Sequence, residues 1–150
     1  MTKTAAPTIV ELPVALHIPV SVLAQMPEKL RVLAQAVKTC SKVVGGSCDA
    51  FREAHKPVRE AYSDANGTAN CIVNAFNELV ALNGDQVKVV VTAAKSAKQL
   101  TSAIYNVCGN IHNDDCFKTT FHDKATVDAT VTALNACGDE IRAALRQFGY

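Results

Sequence analysis

Residues 27–48 read PEKLRVLAQAVKTCSKVVGGSC. Pro27 suits a first helical turn, where the N–H it lacks would have no intrahelical partner. Leu30, Leu33, Val37, Cys40 and Val44 then recur at three- and four-residue spacing, so they share one helical stripe. Gly45-Gly46 is a stop signal of the kind that ends helices. Cys40 and Cys48 flank that stop with seven residues between them. A helix, a tight turn and a second helix are predicted, and with them the fold class: an all-α, disulfide-braced bundle of about four to six helices.

Working outward, the same arrangement recurs. Cys108 and Cys116 also enclose seven residues, Cys71 follows Cys48 by 23 positions, and Cys137 follows Cys116 by 21. A single domain is expected, made of an extended arm (1–26), a first helical half (27–84) and a second (85–150). Side-chain identity between the halves is poor, so the repeat is one of helix-turn-helix plan. Each half holds three cysteines, an odd number, so complete pairing requires at least one bridge between halves. The most economical scheme is Cys40–Cys48, Cys108–Cys116 and Cys71–Cys137. A turn can bring two Cα atoms within the roughly 4.4–6.8 Å that a bridge needs. The long-range bridge would restrict the unfolded chain by about 4 kcal/mol in the entropic model.

In the first half, a helical stretch is expected over about 48–64, with Phe51, Val58 and Tyr62 on one side and a kink or split at Pro57. Asn66-Gly67 marks a break. The next helix carries Ile72, Phe76, Leu79 and Val80 and stops at Asn83-Gly84. In the second half a helix is expected over about 86–110, although Val89-Val90-Val91-Thr92 is β-branched and also fits a strand. A last helix should span about 116–148 and bend at Gly138. At the other end, Leu12, Val14, Leu16, Ile18 and Val20 alternate with Pro13, Ala15, His17 and Pro19. Period-two alternation with prolines predicts an extended arm, either strapped along the domain's own helices or docked on a partner copy.

Composition sets limits on function. The 150 residues are 49% hydrophobic and carry a formal net charge of +1. Nucleic-acid binding is not expected, because phosphate-driven affinity needs a clear excess of Lys and Arg on one face. No stretch reads as a membrane span or as a leader; Glu11, His17 and three prolines interrupt the apolar residues of the N-terminus. Six cysteines point to an oxidising compartment and a secreted protein, whose leader would then have been removed. Trp is absent and only eight residues are Tyr or Phe. The core must therefore be built from Val, Ala and Leu, each burying less area than an aromatic ring.

No cofactor or catalytic site is expected. Cys108, His112 and Cys116, with His122 nearby, have spacing that would suit zinc on a helix. A turn disulfide explains both cysteine pairs, however, and zinc only one, so no metal is expected. His17, His55, His112 and His122 are scattered, and every cysteine fits the bridge plan, which argues against an enzyme. Asn66-Gly67-Thr68 is a glycosylation sequon in a turn-like context. Two function classes remain. One is a secreted carrier of a small hydrophobic ligand such as a lipid, with Leu33, Val37, Phe76, Leu79, Val91, Ile104, Phe121 and Leu134 as candidate lining. The other is a structural or recognition protein acting through its surface and self-associating through the arm.

Overall fold

The computed structural model describes residues 14–44, 46–83, 88–108, 121 and 123–150, with the backbone alone at 15 and 78–83. All regular structure among these residues is helical. A 3₁₀ turn (Val14–Leu16) leads into α1 (His17–Leu23), followed by α2 (Met26–Ser41), α3 (Cys48–Asn83), α4 (Lys88–Ala103), the single turn α5 (Tyr105–Cys108), α6 (Lys124–Leu145) and a closing 3₁₀ turn (Arg146–Phe148). The long helices form a ring in which each packs on two neighbours: α2 on α3, α3 on α4, α4 on α6 and α6 on α2, with α1 laid against α3. Buried side chains from Leu16 to Phe148 make one contiguous core.

The stripe that decided the fold class is buried as expected through Cys40, while Val44, its last expected member, lies beyond the end of α2 and is half-buried. Met26, Leu30, Leu33, Val37 and Cys40 of α2 are all fully buried. The helix stops at Ser41, four residues before Gly45, because the chain tightens first. Lys42, Val43 and Val44 donate to the carbonyls three residues back. At α6 the start is fixed by Asp123, whose carboxylate accepts from the Ala125 N–H at 3.1 Å and from the Thr126 hydroxyl at 2.7 Å. Gly138 does not end or break α6. A Cβ placed there would lie 3.4 Å from the Pro27 Cα, an ordinary contact, so α6 packs directly on the first turn of α2 at this position.

Two expectations about elements are corrected. First, residues 14–23 are helical and not extended. The even positions that alternate also contain steps of four, and Leu16, Val20 and Leu23 face the core while Val14 and Ile18 face out. Pro19 falls in the first turn of α1, where it costs no hydrogen bond. Residues 1–13, including the start of the expected arm, lie outside the described residues.

Second, the expected split at Pro57 and the break at Asn66-Gly67 are absent, and α3 runs unbroken for 36 residues, about 54 Å at 1.5 Å per residue. Its inward stripe is Phe51, His55, Val58, Tyr62, Ala65, Ala69, Ile72 and Phe76, all buried. The steps alternate between four and three without interruption. Pro57 and Gly67 lie on the exposed side, where the carbonyl freed by the proline can face water. Val89 to Thr92 are helical, as the expected helix over 86–110 requires, and burial of Val90 and Val91 between α4 and its neighbours overrides β-branched propensity.

The disulfide scheme is also corrected. Cys40, Cys71, Cys108 and Cys137 are free, so none of the three proposed bridges forms, and no two described cysteines stand at disulfide distance from each other. Cys40 completes the inward stripe of α2 and points into the core, away from the turn it was expected to close. Cys71 faces solvent whereas Cys137 faces the core. Cys48 alone of the described five is not a free thiol, and Cys116 lies outside the described residues.

Candidate functional site

The residues expected to line an interior cavity belong to the hydrophobic core. Leu33, Val37, Phe76 and Leu134 are fully buried, and Phe121 and Val91 nearly so, all within the one core cluster. Ile104 is half-buried and packs against that cluster. Leu79 is on α3, with its side chain outside the described residues. The structure brings seven of the eight together, but as mutual packing neighbours. Of these only Phe121 also lines a described cleft.

An apolar groove lies on the surface, between α4 and the C-terminal part of α6. It has a volume of about 560 Å³ and is lined by Val89, Thr92, Ala93, Ala143 and Ala144, with Lys88 and Glu140 supplying charge. Its origin is a matter of side-chain size. Ala93, Ala143 and Ala144 carry only a methyl group where two helices face each other, so a trough remains above the buried layer of Val90, Ala94 and Ile141. Val89 is 55% exposed in it. Sequence analysis missed this groove because alanine at these positions reads as ordinary helix filler.

Candidate chemical groups are held inert. His55 is 2% exposed and sits between Phe51 (centroids 6.2 Å apart) and Phe121 (5.7 Å, edge-on). Burial, helped by the Arg59 cation, pulls its pKa down to about 4, against a smaller opposing effect of its bond to the Val107 carbonyl. Among the described residues its Nε2 has no partner. Burial pushes the Cys40 thiol up to about 12. Cys108 is likewise pushed up to about 12, by burial and then by neighbouring Cys40. Cys137 is raised to about 11 by burial and Glu140. Thiols so held are poor nucleophiles at neutral pH.

Other sequence candidates fare differently. His112, Cys116 and His122 of the weighed zinc set lie outside the described residues. Among the described residues no group of three or more His, Cys, Asp or Glu is placed to hold a metal ion. Asn66 is not in a turn: it lies within α3, half-buried, and its Oδ1 accepts from the hydroxyl of Thr101 on α4 at 2.9 Å. Among the described residues no helix is long and apolar enough to cross a membrane. No protein-family model, curated protein or solved structure matches the chain.

Proposed function

We propose that the protein is a secreted, non-enzymatic carrier of a small hydrophobic ligand, and that the ligand lies in the groove between α4 and α6. The observation that carries this is the groove itself: about 560 Å³, floored by valine and alanine, within the range of small-molecule sites. Lys88 and Glu140 give a ligand's polar end a donor and an acceptor. Cys48, which is not a free thiol, supports an oxidising compartment. The buried, protonated thiols and the buried neutral His55 support a non-enzymatic role. Native mass spectrometry of protein from its own source tests the carrier directly. A co-purified apolar molecule, lost in an Ala143→Phe variant that fills the groove, is the expected result. An empty wild-type protein that also fails to take up 1-dodecanol contradicts it.

A second reading is favoured by a different observation. Val14 is 89% exposed and Ile18 78%, four residues apart and so one turn apart on the same helical face. This face suits self-association of two copies. Because Leu16 and Val20 belong to the core, removing the whole segment would damage the fold. The Val14→Ser/Ile18→Ser variant is the cleaner test. Light scattering should show a wild-type dimer and a variant monomer; equal masses for the two remove the face from consideration.

A further inference from the structure

The surface cations of this protein are treated in two ways. Lys29, Arg31, Arg52, Lys56 and Arg142 each have a carboxylate partner, four of them three residues away on the same helix. Lys38, Lys42 and Lys124 form no ion pair among the described residues, yet they converge. They line one cleft of about 440 Å³ between the C-terminal end of α2 and the N-terminal end of α6, together with Ser41, Val44, Phe121, Val127 and Asp128.

Their positions are electrostatically awkward. Lys38 and Lys42 are four apart, a spacing at which like charges on a helix repel. The negative end of the α2 dipole accounts for those two cations. It does not account for Lys124, the first residue of α6, where the dipole disfavours positive charge and the nearest carboxylate, the N-cap Asp123, is engaged with Ala125 N–H and the Thr126 hydroxyl. Asp128, one turn on, is at a spacing that permits pairing, but no ion pair forms with Lys124. Three lysines and one acidic residue, Asp128, therefore line a cleft that also holds apolar Phe121 and Val127, both 3% exposed, and half-buried Val44.

We propose that this cleft binds a small organic anion, a carboxylate carried on an apolar body, with Lys38, Lys42 and Lys124 around the carboxylate and Phe121, Val127 and Val44 under the body. The three lysines give the charge complementarity, and the floor selects an amphiphile over an inorganic ion. The site is independent of the α4–α6 groove, since Val127 and Ala143 are 16 residues apart on α6, about 24 Å along the helix.

The test is isothermal titration of the whole chain with decanoate, with 1-decanol and inorganic phosphate as controls. Wild-type protein should bind decanoate saturably and more weakly as ionic strength rises. The Lys38→Gln/Lys42→Gln/Lys124→Gln variant, with its helicity checked by circular dichroism, should bind about tenfold more weakly, while 1-decanol binding is unchanged. Asp128→Asn removes the one opposing charge and should tighten decanoate binding severalfold, a gain that a damaged fold would not give. No binding of decanoate by the wild type, equal binding by the triple-lysine variant, no gain in Asp128→Asn, or displacement by phosphate as effective as by decanoate each overturns the proposal. The α4–α6 carrier fails separately, by loss of 1-decanol binding with decanoate binding intact.

Discussion

At the scale of single residues, burial decides which groups titrate. His55 is held neutral in the fold, with a pKa of about 4 against an ordinary value of about 6.5. The unfolded chain therefore binds more protons than the folded one between those values, and stability falls as pH drops from about 6.5 toward 4. The full difference amounts to up to about 3 kcal/mol. Replacing His55 with Phe, which keeps an aromatic ring beside Phe51 and Phe121, should flatten the dependence of melting temperature on pH in that window. An unchanged slope would mean that His55 is not the group responsible. The cysteines sort by the same physics. Of the four free thiols, Cys71 is exposed while Cys40, Cys108 and Cys137 are buried. Among these four described thiols, brief treatment of native protein with a thiol reagent should label Cys71, the other three reacting only after unfolding. Early labelling of Cys40 or Cys108, read by peptide mapping, would contradict the packing described.

At the scale of elements, the decisive feature is the continuity of α3. Gly67 sits on its exposed side, has an ordinary negative φ, and a Cβ there would meet nothing within 4 Å. Gly67→Ala should therefore stabilise the protein by about 0.5–1 kcal/mol, the ordinary cost of glycine inside a helix. If Asn66-Gly67 were a turn, the same change would destabilise. The break signals at Pro57 and Asn66-Gly67 were legible but local. The alternating four-three stripe from Phe51 to Phe76 was equally present in the sequence, and it won because each of its members gains burial against α2, α4 or α1. The N-terminal segment carried the same ambiguity. Positions 12 to 20 alternate by two and also recur by four, and only the core that receives Leu16 and Val20 selects the helix. Cysteine spacing implied turn disulfides because it says nothing of direction; Cys40 points inward with the rest of its stripe.

At the scale of the whole molecule, four long helices close a ring around an aliphatic core, tied across helices by a few polar contacts. Lys29 of α2 reaches Asp64 of α3 at 2.7 Å, and Ser21 of α1 meets the hydroxyl of the C-terminal Tyr150 at 3.1 Å. The all-α class and most of the core were readable from periodicity. The α4–α6 groove and the lysine-lined cleft were not, because both depend on which helices become neighbours, and the groove also on alanines that leave room between two of them. A ligand carried by this protein is thus expected on the surface of a filled bundle. The most direct measurement is methyl and amide chemical-shift mapping during titration with 1-dodecanol. The shifts should centre on Val89, Thr92, Ala93, Ala143 and Ala144, leaving the methyls of Leu33, Val37 and Leu134 in place; shifts centred on those three methyls instead would place the ligand inside the bundle and contradict the surface groove.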